Sequence, residues 1–321
     1  MRKIPILGAI ALFISALGCK EAKEVTTSHN SSPYSISESS VANTLEYLSS
    51  DDLKGRATGT AGIEQAATYI EDEFETHGLK PYFRSYRDTF EVEGVTGYNM
   101  VALKEGTDPA FKDEYIIIGG HYDHVGFARK VGLDSIANGA NDNAAGTAAV
   151  LELARYFSNR DTKRSLLFTL FSAEEMGLIG AKHLAGKLNA APLDLYVMFN
   201  IEMIGVPMKN NDYMAYLTGY NKSNLAEKFN RYAGKEVLGF LPEAEKFRLF
   251  ERSDNHPFYQ EFNVPAQTIS TFDFSNYDYY HHVKDEFEHM DTAHMTELIE
   301  AIAPGLTEMA NSPEREIQMA E

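Results

Sequence analysis

The stretch Ser165-Leu-Leu-Phe-Thr-Leu-Phe-Ser-Ala-Glu-Glu-Met-Gly177 decides how this chain folds. Its run over 166–171 is almost continuously apolar, the pattern of a short strand covered on both faces. Two glutamates, Glu174 and Glu175, stand where the run ends, and the spacing that follows predicts a helix over 178–188. A buried strand handing over to a helix is part of a β-α-β unit, and the flanking sequence repeats the theme. Residues 115–118 form a β-rich run that a glycine-rich loop separates from an alanine-rich helix over 144–157. Strands are expected over 195–201, 213–217 and 267–271, and helices over 223–232 and 295–309, the last interrupted by Pro304.

Upstream, Val41, Leu45 and Leu48 recur at helical spacing, and Ile63, Ala67, Ile70 and Phe74 repeat the pattern in a second helix stopped by Gly78 and Pro81. Segments 89–92 and 98–103 read as the antiparallel margin of a sheet. The expected fold class is therefore α/β: a mostly parallel central mixed β-sheet flanked by helices on both faces. No internal repeat or break in composition marks a second domain, so residues 38–321 are expected to form one.

Charge narrows the function. The chain has 321 residues and a formal net charge of −18, from 47 acidic and 29 basic groups. Such a field repels phosphate backbones, which excludes a nucleic-acid partner. The N-terminus departs from the rest: Arg2 and Lys3 precede an apolar run over 4–17, shorter than a comfortable bilayer span and ordered like a secretory signal. It ends in Ala16-Leu17-Gly18-Cys19, with the chain's single cysteine. This resembles a bacterial lipoprotein signal cleaved before a lipid-modified Cys19. Residues 1–18 then form a signal peptide and 19–37 a flexible polar tether. The expected location is the cell envelope, facing the periplasm or exterior, with the membrane reached only through the lipid on Cys19.

In a parallel α/β sheet, ligands gather at the carboxyl ends of the strands. His121, Asp123 and His124 follow the first core run, and Asp142 lies in the loop before the alanine-rich helix. Glu174 and Glu175 follow the next run, Glu202 the one after it, and His281 and His282 the last. Carboxylates converging on one edge repel one another unless cations neutralise them, and His with Asp or Glu is the donor set of catalytic zinc. Two ions bridged by one carboxylate would use five ligands.

The same residues carry a resemblance to the zinc aminopeptidases of the M28 peptidase family. It spans about residues 43–310 and rests on six ordered motifs: Leu53-Lys-Gly-Arg-Ala-Thr-Gly-Thr60, Gly120-His-Tyr-Asp-His124, Gly139-Ala-Asn-Asp-Asn-Ala-Ala-Gly146, Ser172-Ala-Glu-Glu-Met-Gly177, Asn200-Ile-Glu-Met-Ile-Gly205 and Tyr280-His-His-Val-Lys-Asp285. The resemblance implies a di-zinc site in which His121, Asp142 and Glu202 hold one ion and Asp142, Glu175 and His281 the other. Glu174 would be the general base for a metal-bridged water, and peptides with a free N-terminus the substrates. Asp123 would orient a ligating imidazole. A cis peptide is implied at Asp142–Asn143. Tyr280 matches a tyrosine that stabilises the oxyanion in some members, an aromatic packed beneath the metals being the alternative. His281 is chosen over His282 because the family's histidine has an aspartate four residues on, here Asp285, and His124 is expected outside the ligand set.

Two positions depart from the family pattern. Residue 202 is Glu where the family usually has Asp, which moves the carboxylate by about 1.5 Å and leaves one zinc or two open. In Arg252-Ser-Asp-Asn-His-Pro-Phe258, Asp254 matches but Asn255 replaces a histidine; Asp254 faces the substrate pocket, bonds near Glu174 or is a plain turn residue. The alternatives are a mono-zinc glutaminyl cyclase on the same fold and a catalytically silent binding protein. Cyclase sites use tryptophans, and this chain has none. A silent relative loses ligands or base, whereas every position here is chemically competent. Serine or cysteine hydrolysis fares worse still, since no Gly-x-Ser-x-Gly elbow appears and Cys19 lies in the signal region.

Overall fold

The computed structural model describes residues 35–320 together with Met1. The expected signal cleavage, the lipid site at Cys19 and the tether as far as residue 34 lie outside the described residues. Helices α1 (Glu38–Leu48) and α2 (Ala61–Thr76) bury the apolar positions that their spacing marks, with a 3-10 segment, Asp51–Arg56, between them. Strands β1 (Lys80–Pro81), β2 (Arg87–Val92) and β3 (Val95–Lys104) follow, β1 and β2 both antiparallel to β3.

Next come β4 (Glu114–His121), a hairpin of β5 (Gly126–Val131) and β6 (Asp134–Ala137), α3 (Ala145–Ser158), β7 (Ser165–Phe171), α4 (Ile179–Ala190) and β8 (Asp194–Ile201). The chain continues through β9 (Ala215–Leu217), α5 (Leu225–Ala233), β10 (Leu238–Gly239), α6 (Pro242–Lys246), α7 (Asn255–Phe262), β11 (Ala266–Ser270) and α8 (Thr292–Asn311). The large sheet runs β1-β3-β7-β4-β8-β11-β9-β10, with β2 on β3. Its centre, β7-β4-β8-β11, is parallel, and antiparallel pairs join it to β3 on one side and β9 on the other.

Alternation along β4 shows why the run reads as continuously apolar. Ile116 and Ile118 pack with α1, α2, α3, α5 and α8 on one face, while Ile117 packs with α4 and α7 on the other. Both faces are dry, so each residue contributes roughly 1.5–3 kcal/mol of burial.

Three expectations shift. β4 extends to His121, so a candidate ligand sits on the strand itself. The fourth core strand shrinks to three residues, β9. Pro304 lies inside α8 without interrupting it. Pro304 and Glu300, whose carbonyl loses its partner, are both exposed, so water can satisfy that carbonyl on the solvent side. The β5–β6 hairpin has no counterpart in the sequence reading, because most of its side chains are exposed and offer no apolar alternation. No helix among the described residues is long and apolar enough to cross a membrane.

Candidate metal centre

Because β7, β4, β8 and β11 are parallel neighbours, their carboxyl ends open on one edge. His121 is the last residue of β4, Glu202 is the first after β8, and Glu174 and Glu175 follow β7 by a short turn. Asp142 lies in the π-helical turn Ala140–Ala144 that leads into α3, and the Asp142–Asn143 peptide is cis, as the resemblance implied. Ala173, Met203 and His281 all have left-handed φ, at +55°, +48° and +52°. Non-glycine residues in this region are strained, and these three flank or belong to the cluster, re-aiming the chain at each strand end.

Asp142 is the hub. Its Oδ1 lies 3.4 Å from His121 Nε2 and its Oδ2 3.2 Å from His281 Nε2. His281 Nε2 is also 3.0 Å from Glu175 Oε2. His282 points elsewhere, its Nδ1 accepting from the Lys284 amide.

Two residues at the cluster have partners that the motifs did not indicate. His124, expected outside the ligand set, brings Nδ1 to 2.9 Å from Glu175 Oε1 and 3.7 Å from Asp142 Oδ2. Ligand-capable atoms of His124, Asp142, Glu175 and His281 all lie within 4.8 Å of one another. Glu202 is outside that group of four, and its Oε2 accepts from the Ser253 hydroxyl.

Asp123 also acts differently from the expected role. His121 Nδ1 lies 3.1 Å from the Asp123 backbone carbonyl, while the nearest Asp123 carboxylate oxygen is 3.8 Å away. The carboxylate instead accepts the amides of Glu174 and Glu175, at 3.1 and 3.4 Å, and so holds the turn carrying both glutamates.

Three further groups, unassigned from sequence, brace the cluster. Asp285 accepts the Asn141 and Asp142 amides at 2.7 and 3.0 Å and the Tyr277 hydroxyl at 2.6 Å. The Asn143 side chain donates to the Ile201 carbonyl and accepts from the Met203 amide, tying the Asp142 turn to both neighbours of Glu202. Arg56 is buried, and its guanidinium donates to carbonyls of Leu48, Tyr122, Asn138 and Gly139. It thereby staples the segment after His121 to the segment before Asp142. Its signal was the Lys-Gly-Arg of the first motif, which spacing alone cannot connect to the site.

The electrostatics follow from so many acids in a dry place. Burial raises Glu174 well above the usual carboxylate range, and Glu202, Asp254 and Glu175 add to it against His121. Burial likewise lifts Asp123 to about 6. Burial also works to raise Asp142, but the imidazoles of His121, His281 and His124 beside it overcome that and hold the carboxyl far below its ordinary value. His281 is the converse: burial disfavours its charge, yet the Asp142 and Glu175 carboxylates beside it raise it to about 10. Arg56 is lowered to about 10 by burial, against the pull of Asp285, Asp123, Asp142 and Glu175.

These residues fit zinc. His121 Nδ1 donates to the Asp123 carbonyl, so the neutral ring carries its lone pair on Nε2, which is buried, faces Asp142 and has no hydrogen-bond partner. Asp142 Oδ2 is similarly buried and unpartnered. Imidazole nitrogens and carboxylate oxygens converging with unused lone pairs are the donor set of a catalytic zinc site.

Beside the cluster opens a cavity of about 110 Å³ whose walls include Glu202, Met203, Arg252, Phe272, Phe274 and Tyr280. Tyr280 is 43% exposed, and its ring stacks on His281 with centroids 4.0 Å apart and on Phe272 at 5.8 Å. Its hydroxyl has no hydrogen-bond partner among the described residues, so it is free to meet a ligand. Asp254 is not among the cavity walls: it is fully buried at the start of α7, with neither oxygen hydrogen-bonded. Asn255 is structural, its amide donating to the Ala266 carbonyl and accepting from Thr268.

Comparison with known proteins agrees with this geometry. A model of peptidase family M28 matches residues 99–305. Leupeptin-inactivating enzyme 1 of Streptomyces exfoliatus is 33% identical over 220 residues, 67% of this chain and 44% of that protein. A probable zinc metalloprotease of Pyrenophora teres f. teres is 31% identical over 186 residues, 53% of this chain and 39% of that protein. The chain thus spans less than half the length of these curated relatives. Among solved structures, an aminopeptidase from Aneurinibacillus sp. strain AM-1 superposes with a TM-score of 0.66 at 18% identity, covering 89% of this chain and 97% of that one. Porphyromonas gingivalis glutaminyl cyclase does so with 0.65 at 16%, covering 85% and 99%. At these identities the superpositions establish the fold alone.

Proposed function

The chain belongs to peptidase family M28, and from that premise we propose that it is a co-catalytic di-zinc aminopeptidase removing N-terminal residues from peptides. The observation that carries the reading is Asp142, one carboxylate with an imidazole at each oxygen, at 3.4 and 3.2 Å. That is the arrangement of a group shared between two ions. His121 and Glu202 would complete one side, Glu175 and His281 the other. Bound zinc would polarise the scissile carbonyl and make water acidic enough to react near neutral pH.

The chain's own residues supply the rest. Glu174 has no hydrogen-bonded side-chain partner among the described residues, and its turn is fixed by Asp123. Its raised proton affinity suits a general base that takes a proton from water and returns it to the leaving amine. Tyr280 offers a free hydroxyl at the cavity edge for the carbonyl oxygen. The cavity beside Glu202 would receive the first side chain, and its walls exclude water from the reacting bond.

Cyclisation of N-terminal glutamine is the competing chemistry, since cyclases share the fold. The absence of tryptophan weighs against it. Glu174→Gln tests the hydrolytic reading: zinc content should stay near wild type while turnover of an aminoacyl amide falls by roughly 10²–10⁴-fold. Wild-type turnover in that variant would remove Glu174 from the reaction.

A further inference from the structure

His124 has no part in the reaction just described, yet it is a fully buried imidazole within the cluster. Its ring is seated against Gly139, where a Cβ would come within 2.5 Å of His124 Cγ. Gly139 has φ +61°, so both its backbone and the space above it require glycine. On the other side the ring meets His281 edge to face, with centroids 5.5 Å apart at 74°. The imidazole is therefore fixed, and what it does is decided by Nδ1.

Two roles fit a nitrogen 2.9 Å from Glu175 Oε1 and 3.7 Å from Asp142 Oδ2: donor to Glu175, or ligand of a metal. The other nitrogen chooses between them. His124 Nε2 is buried and without a partner. Were Nδ1 a ligand, the proton would sit on Nε2 as an orphaned buried donor. With the proton on Nδ1, Nε2 is only an unused acceptor, the cheaper defect. His121 also carries its proton on Nδ1, bonded there to a carbonyl, but it is Nε2 that His121 aims into the site. The two histidines of the motif thus share a tautomer but point it in opposite directions, one turning its free nitrogen to the site and the other its N–H.

We infer that His124 is a positioning residue: it donates Nδ1–H to Glu175 Oε1 and presents Glu175 Oε2 alone to the metal, beside His281 Nε2 and Asp142 Oδ2. The inference rests on the zinc-site reading above. Without the donor, Glu175 would be free to rotate, and the cluster would meet the ion with a carboxylate of unfixed orientation.

The test is zinc affinity, measured by chelator competition on the full chain, with metal-free unfolding midpoints as a control. His124→Ala should weaken zinc binding by about 10–100-fold. His124→Asn, whose amide nitrogen takes the place of Nδ1, should recover most of the loss, whereas His124→Gln, whose amide falls near Nε2, should not. Cobalt-substituted wild type and His124→Asn should have the same visible spectrum. Unchanged affinity in His124→Ala overturns the inference; if that variant fails to fold, equal affinity in His124→Asn and His124→Gln does so. A cobalt spectrum of lower coordination number in His124→Asn would make His124 a ligand instead. Wild type that takes up no zinc would overturn both this inference and the reading beneath it.

Discussion

The Ser253 hydroxyl donates to Glu202 Oε2 and accepts from the Asn200 side-chain amide at 2.9 Å, an amide that also donates to Thr268 Oγ1 at 3.1 Å. The one acid whose length departs from the family pattern is thus held from behind by a buried chain of polar groups. Ser253→Ala should weaken the ion on the His121 side by roughly 10-fold, the scale of a lost supporting partner. Zinc per chain after dialysis against fixed free zinc checks this, the expected change being a fall from two ions toward one.

Arg56 carries four backbone carbonyls and a share of the charge of four acids. Arg56→Met would orphan those acceptors in a dry site and should cost roughly 3–5 kcal/mol, the scale of leaving buried charge uncompensated. Urea unfolding of metal-free protein measures it. Arg56→Lys should fall between, because an ammonium has too few donors for four acceptors.

Metal uptake should release protons. His281, raised to about 10, and His121, raised well above its usual value, both carry protons at neutral pH and must lose them to bind an ion. Zinc affinity should therefore climb as pH rises from 6 to 8. Calorimetric titrations in buffers of different ionisation heat should give a heat proportional to the protons released, and a buffer-independent heat would contradict the expectation.

Glu286 accepts from Asn138, and burial raises it to about 7, with Asp51, Asp134 and Glu288 adding to the shift. Its folded value lies above its unfolded one, so the folded state binds the extra proton between them. Stability from this group is present below the unfolded value and is lost as pH rises through about 7. Glu286→Gln should raise the melting temperature at pH 8 and change it little at pH 4.

Much of this was legible in the sequence because burial on both faces makes strands conspicuous. The run over 166–171 became β7 almost residue for residue, and the groups after each core strand do meet at one edge. The invisible parts depend on direction rather than position. Nothing in Gly120-His-Tyr-Asp-His124 says that the Asp123 carboxylate turns to the Glu174 amide or that His124 turns inward. Ser253 reaches Glu202 across 51 residues of sequence and Arg56 reaches Tyr122 across 66, which periodicity cannot encode.

The central claim is a two-zinc site that hydrolyses the bond after a free N-terminal residue. The most direct test is zinc per chain by mass spectrometry on the purified protein, with free amino acid release from an aminoacyl amide panel and a glutaminyl substrate measured alongside. Two zinc ions with amide hydrolysis across the panel is the expected result. One zinc ion, with turnover confined to the glutaminyl substrate and giving ammonia and pyroglutamate, would contradict it.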